Sequence, residues 1–332
     1  MTRKILVTGR LPEGILSGLA GRYETTFQHE DRPMERHRLL EAIGDKDGLL
    51  CMITDAVNEE LLGRAPRLKM IANLGVGYNN IDVRAATARG IPVSNTPGVL
   101  TEATADLAFT LLLAVARRVV EGDRRVRAGE FKFWAPFLFL GREVSGKTLG
   151  IVGMGRIGKA VARRARGFDM PVLYHNRSRI ESDEEDRLGA RYAPLDELLQ
   201  KSDFVSLHVP LTAQTTHLIG GEQLAAMKPT AYLINTARGP VVNEQALLEA
   251  LQARRIAGAA LDVYENEPAL TPGLTLLDNT LLLPHVGSAT LETRTRMAAM
   301  AVQNLIAGLS GQTPPNVVNP EVFMTNTMKN GS

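Results

Sequence analysis

The chain has 332 residues, 44% of them hydrophobic and 22% charged. That is ordinary for a soluble globular protein and long enough for two domains. With 38 basic against 36 acidic residues the net charge is +2, which lacks the basic excess of a nucleic-acid binder. The single cysteine, Cys51, excludes an internal disulfide framework and suits a reducing compartment.

In chain order, "MTRK" leads straight into the strand pattern "ILVTG" (5–9), not into the apolar core of a signal peptide. Further strand patterns follow at 48–54, 69–75 and 91–96, with helical patterns at 34–44 and 58–66 between them. Cys51 lies inside the apolar run "LLCMIT" (49–54) and reads as a buried strand residue. "TEATADLAFTLLLAVARRV" (101–119) reads as one long helix, with Glu102 and Asp106 near its positive end and Arg117 and Arg118 near its negative end. Its apolar stretch, 107–116, is ten residues long, too short to cross a bilayer. A second series of strands follows at 148–153, 171–175, 204–209, 231–237, 257–263 and 280–285. The charge run "ESDEEDR" (181–187) reads as the solvated face of a short helix. A second long helix covers about 289–309, and no strand pattern follows it. This alternation predicts an α/β protein with two Rossmann-like or flavodoxin-like parallel-sheet domains. A nucleotide-binding domain, 100–287, would be inserted into a discontinuous substrate domain made of 1–99 and 288–332. The expected protein is cytoplasmic, with no metal, no membrane and no nucleic-acid partner.

The turn "GMGRIG" sets Gly153, Gly155 and Gly158 in G-x-G-x-x-G spacing, after the strand "TLGIV" and opening the helix "RIGKAVARRARGF". That context gives the spacing its meaning. Gly153 permits the tight turn, Gly155 lets the backbone approach a pyrophosphate, and Gly158 lets helix and strand pack closely. The helix dipole and the first-turn N–H groups then attract phosphate; the other reading is a glycine-rich turn that binds nothing. The next strand ends near His175, where a carboxylate usually bonds the ribose hydroxyls of NAD. Here Asn176, Arg177, Ser178 and Arg179 stand instead. Arg177 would offer a charge-assisted fork to a 2′-phosphate and Ser178 a hydroxyl donor, so the site reads as NADP-preferring, NADPH over NADH, with NAD possible. The alternative makes both arginines surface residues and lets Asn176 bond the NAD ribose.

Three later strand ends carry ionisable groups in apolar settings: Arg238 in "LINTARG", Glu267 in "LDVYENEP" and His285 in "LLLPHVG". Ligands of open α/β sheets bind outside the carboxyl ends of strands, so the three can converge near a nicotinamide. Reduction of a 2-keto acid needs a hydride at the carbonyl carbon and a proton at its oxygen. Arg238 would hold the substrate carboxylate in a two-pronged bond, His285 would protonate the oxygen, and Glu267 would orient the imidazole and favour its charged form. Singly, each has a plain reading: a structural ion pair, an exposed loop carboxylate, a strand-end histidine. Backbone N–H groups at Val76 and Gly77 in "NLGVGYNNID" (73–82) could bind a carboxylate as the opposite lip of a two-domain cleft; a plain strand–turn–helix junction is the alternative.

With these blocks in view the chain resembles the D-isomer-specific 2-hydroxyacid dehydrogenases over about residues 4–320. "GVGYNNID", "TPGVLTEATADLAF", "KTLGIVGMGRIGKAVA", "MKPTAYLINTARGPVVNEQAL", "GAALDVYENEP" and "LLPHVGSATLETR" look like that family's blocks in its order. "LYHNRSR" and "GMGRIGKAVARRA" are most like its glyoxylate/hydroxypyruvate reductases. The resemblance implies Arg238, Glu267 and His285 as the catalytic set. It implies cofactor contacts from Gly155, Arg156, Ile157 and Gly158, from Arg177 to Arg179, and from Thr236, Ala237 and Arg238. Asp262 and His285 to Gly287 would meet the nicotinamide end, with Thr104 and Pro210 as neighbours. It also implies a homodimer. The family commonly has Asp where Asn80, or Asn79 beside it, stands here, with no consequence for the chemistry. Trp134 in "FKFWAPFLFLG" (131–141) could reach a neighbouring subunit's pocket, or simply pack in a dimer contact or the core. Alternatives to glyoxylate and hydroxypyruvate reduction are 2-ketogluconate reduction and a D-lactate-type dehydrogenase. Phosphoglycerate dehydrogenase is disfavoured because no regulatory domain follows. A dinucleotide-sensing corepressor is the alternative from another class.

Overall fold

The computed structural model describes residues 2–324. Among them, the residues up to Leu100 and from Ala289 onward form one unit, and Thr101–Ser288 form the other. The first unit holds β1 (Lys4–Val7), β2 (Glu24–Phe27), β3 (Gly48–Met52), β4 (Met70–Leu74) and β5 (Val93–Ser94). They pair in the order β2-β1-β3-β4-β5, all parallel, which is the flavodoxin-like arrangement. Cys51 is fully buried in β3. The helix Leu291–Leu309, capped by Thr290, packs on β3 and β4. The chain then returns to the β5 edge. Val317 bridges Ser94 antiparallel, and the buried Asn319 accepts from the Val93 N–H at 2.7 Å while donating to Ile91 O at 3.0 Å.

The second unit holds β6 (Leu149–Val152), β7 (Val172–His175), β8 (Ala190–Tyr192), β9 (Phe204–Leu207), β10 (Tyr232–Asn235), β11 (Gly258–Leu261) and β12 (Thr280–Leu282). Their order is β12-β11-β10-β9-β6-β7-β8, again all parallel. The order reverses between β6 and β9, the switch point where ligands of such sheets bind. Both faces are covered, so the strands read as continuous apolar runs. Ile151, Tyr174, Phe204, Ile234 and Ala260 face one core. Their neighbours Val152, Leu173, Val205, Leu233 and Ala259 face the other.

Two expectations fail in instructive ways. The helix from Thr101 ends at Ala116 rather than running on to residue 119. Arg118 takes a left-handed backbone, φ 54°, and a new helix runs Val119–Arg127. The returning chain explains the break: the Arg142 N–H takes the Ala116 carbonyl at 2.8 Å, and the Arg118 guanidinium lies 4.1 Å from the Phe139 ring centre. The charge run does form a helix, Ser182–Leu188, but its Glu185 is 6% exposed and is not solvated.

Candidate active site

At the carboxyl end of β6 the three glycines do different things. Gly153 has φ +102°, and a Cβ there would meet the backbone of His208 at 2.6 Å. A Cβ on Gly158 would lie 2.2 Å from Gly153 O, so the helix Arg156–Ala165 packs directly on the turn. At Gly155 nothing lies within 4 Å of a Cβ. The packing of the protein itself does not require that glycine, and the space beside it is open to a ligand. Gly155 opens the helix with no side-chain cap, which leaves the first-turn N–H groups, those of Arg156 and Ile157 among them, to water or an anion. Nearby, Thr236 Oγ1 is buried without a hydrogen-bond partner among the described residues, as is Nδ1 of His208. A cradle of this shape, with orphaned buried polar atoms, fits a dinucleotide.

The turn after β7 separates residues that the sequence grouped. Asn176 Oδ1 accepts from the Met154 N–H at 2.7 Å and so ties this turn to the glycine turn. Arg179 forks onto Glu185, with Nε to Oε1 at 2.8 Å and Nη2 to Oε2 at 2.6 Å. The Tyr174 hydroxyl donates to the same carboxylate at 2.5 Å and accepts from the Ile180 N–H at 3.0 Å. Arg179 and Tyr174 together hold the Glu185 carboxyl down to about 2. Burial first, and Glu185 second, push the Tyr174 phenol up to about 12. Arg177 and Ser178 are exposed and carry no ion pair or side-chain hydrogen bond among the described residues.

The later strand ends bring Arg238, Glu267 and His285 into one neighbourhood. Arg238 follows β10 in an Asn-folded turn. The buried Asn235 accepts from the Ala237 N–H at 3.0 Å and donates to Arg238 O at 3.0 Å. The Arg238 guanidinium donates to Ala237 O at 2.7 Å. Burial works against its charge, and the Glu267 carboxylate works in its favour. His285 Nδ1 donates to Glu267 Oε2 at 2.8 Å, and the Tyr264 N–H donates to Oε1 at 2.9 Å. Burial pushes the Glu267 carboxyl up, but the His285, Tyr264 and Arg238 interactions outweigh it and hold the group below its usual range. His285 has a left-handed backbone, φ 55°, which a non-glycine residue adopts only when its surroundings impose it. Asp262 imposes it here. Its carbonyl accepts from the His285 N–H at 2.9 Å, and its carboxylate accepts from Val286 N–H at 2.7 Å and Gly287 N–H at 2.8 Å. Asp262 thus anchors the loop that aims the imidazole, and Thr104 sits against Gly287.

The remaining candidates are placed more simply. In the first unit, Asn95 donates to Val76 O at 2.8 Å and Asn73 to Gly77 O at 2.9 Å. Pro210 O accepts from Thr215 at 2.6 Å. Trp134 is 78% exposed and belongs to no core. Among the described residues no group of three or more His, Cys, Asp or Glu could hold a metal ion, and no helix is long and apolar enough to cross a membrane. Sequence reading missed the positioning roles of Asn235 and Glu185. The Asn in "NTARG" carries an Asx-turn signal, whereas nothing local marks Glu185 as buried.

An acid–base pair, a half-buried guanidinium and a dinucleotide cradle at one sheet edge suit hydride transfer to a carbonyl acid. Comparison with known proteins agrees. Residues 109–287 match the family model for the D-isomer specific 2-hydroxyacid dehydrogenase NAD binding domain. The chain is 52% identical over 327 residues to a glyoxylate reductase of Pyrococcus furiosus, covering 97% of each. It is 53% identical over 325 residues to a glyoxylate reductase of Korarchaeum cryptofilum, again covering 97% of each. Among solved structures it resembles an NADPH-dependent glyoxylate/hydroxypyruvate reductase of Sinorhizobium meliloti in complex with NADP and malonate. That match has TM-score 0.86 and 37% identity, covering 96% of this chain and 97% of the other.

Proposed function

The chain belongs to the D-isomer specific 2-hydroxyacid dehydrogenase family, and from that premise we propose that it reduces small 2-keto acids. Glyoxylate would give glycolate and hydroxypyruvate would give D-glycerate, with NADPH preferred to NADH. The observation that carries this reading is the 2.8 Å His285–Glu267 pair, whose Glu267 also feels the charge of Arg238. When bound, the reduced nicotinamide supplies the hydride. Arg238 holds the substrate carboxylate through two parallel charge-assisted bonds, which fixes the carbonyl in place. Glu267 engages His285 at Nδ1, so Nε2 is the atom left to donate a proton to the carbonyl oxygen. The keto acid gains a hydride and a proton and leaves as the hydroxy acid. Val76 and Gly77 are proposed as further carboxylate contacts on the strength of the sequence. The preference for NADPH rests on Arg177 and Ser178, which are exposed, while Arg179 is already committed to Glu185.

The reading extends to a homodimer. Phe131, Trp134 and Phe137 are 65%, 78% and 84% exposed, more apolar surface in one segment than a monomer usually leaves to water. Sedimentation should return a species of two chains; a single chain at micromolar concentration would contradict it. The proton-donor role is tested by His285→Ala. It should lower kcat by about 10²–10⁴-fold and leave the cofactor Kd unchanged. Near-normal kcat would place the donor elsewhere.

A further inference from the structure

Behind the Arg238 and Glu267 turns lies a second pair of carboxylates that the reaction above does not use. Glu244 opens the helix Glu244–Gln252 and is 3% exposed. Its backbone N–H donates to Glu265 Oε2 at 3.0 Å, and the Glu265 N–H donates back to Glu244 Oε2 at 3.4 Å. Thr271 Oγ1 donates to that same Glu244 oxygen at 3.1 Å. His217 Nε2 lies 2.6 Å from Glu265 Oε1. The His217 N–H in turn donates to Pro240 O at 2.8 Å.

Glu244 Oε1 is buried and has no hydrogen-bond partner among the described residues. A carboxyl oxygen left in that state is costly. Glu244 also lines a cavity of about 10 Å³, together with Asn235, Gly239, Tyr264 and Glu265. That is close to the room one water needs, provided polar partners are present. Burial pushes the Glu244 carboxyl up, and the neighbouring Glu265 charge adds to it. A water in that cavity would donate to the unpartnered Oε1.

The cluster touches both catalytic turns. Gly239 follows Arg238, and a Cβ on it would lie 1.8 Å from the Tyr264 carbonyl carbon, so the two turns are in direct backbone contact. Tyr264 is also the residue whose N–H holds Glu267. We propose that Glu244 and Glu265, with one water bound at Glu244 Oε1, form a brace that fixes the Arg238 and Glu267 turns relative to each other. Glu244 is a positioning residue, since it acts only through those turns. The inference rests on the reaction proposed above, but part of its test does not.

The test compares Glu244→Ala and Glu244→Gln by amide hydrogen exchange, kcat for glyoxylate and cofactor Kd. In Glu244→Ala, exchange at 238–241 and 264–267 should rise about tenfold or more. Its kcat should fall about 10–100-fold, the cost of a small misplacement of catalytic groups, with cofactor Kd unchanged. Glu244→Gln keeps an acceptor for the Glu265 N–H and Thr271, and should restore most of both. Wild-type exchange at those segments in Glu244→Ala, or a Gln variant as impaired as Ala, overturns the brace. If Glu244→Ala does not fold, Thr271→Val replaces it, with raised exchange at 264–267 expected and unchanged exchange contradicting the brace. A wild-type protein that reduces no 2-keto acid would sink the proposed reaction, while the exchange data would still decide the brace.

Discussion

Arg177 and Arg179 are two positions apart, and the fold gives them opposite surroundings. Arg179 is forked onto a nearly buried carboxylate; Arg177 faces solvent. A charge-assisted bond to a 2′-phosphate is worth about 1.5–3 kcal/mol, so Arg177→Ala should cost about 10–100-fold in kcat/KM with NADPH and little with NADH. Equal losses with both cofactors would refute the phosphate role. Arg179→Ala should leave the NADPH/NADH ratio near wild type and lower stability instead. The Glu185 carboxyl drops from 4.5 to about 2 in the fold. A depressed carboxylate stabilises above its unfolded value and loses that contribution as pH falls through the folded one. The stability deficit of Arg179→Ala should therefore be full at pH 7 and narrow as pH falls below about 4.5 toward 2, measured by denaturant unfolding. The convergence of Arg238, Glu267 and His285 was legible because each is an ionisable group in a loop that follows an apolar strand. Glu185 was not, because glutamate in a charge run is normally solvated and its partner Tyr174 lies on another element.

The glycine turn separates what the fold requires from what a ligand requires. Gly158→Ala would place a Cβ 2.2 Å from a carbonyl oxygen, so it should destabilise the protein measurably. Gly155→Ala meets nothing within 4 Å in an extended conformation, φ −80°. Its Tm should stay within about 2 °C of wild type, as for a substitution without a named destabilising mechanism, while cofactor affinity falls. Unchanged affinity in Gly155→Ala would mean the cradle is not where the phosphates lie. The spacing was readable because strand and helix flank it. Other elements were less so. β2 alternates exposed and half-buried residues in "ETTF" and β8 has only three residues; both are edge strands, which need little apolar pattern. The break after Ala116 was invisible because its cause, the Arg142 N–H, lies 26 positions downstream.

At the scale of the whole chain, two parallel sheets of distinct order organise the two units. β2-β1-β3-β4-β5 is assembled from both ends of the chain, since the segment around Val317–Asn319 closes its edge. The seven-stranded sheet gathers the glycine turn and the Arg238, Glu267 and His285 loops at its carboxyl ends. Strand–helix alternation was enough to expect two such sheets, because parallel pairing demands a crossover between strands. It could not reveal the exposed aromatic segment around Trp134 as surface, since apolar residues there look the same whether they meet a core or a partner chain. This arrangement is proposed to reduce 2-keto acids with a nicotinamide cofactor. Steady-state kcat/KM for glyoxylate, hydroxypyruvate, pyruvate and 2-ketogluconate, each with NADPH and NADH, decides it. The highest value is expected for glyoxylate or hydroxypyruvate with NADPH. Tight cofactor binding with no oxidation of either cofactor by any of the four acids would contradict it.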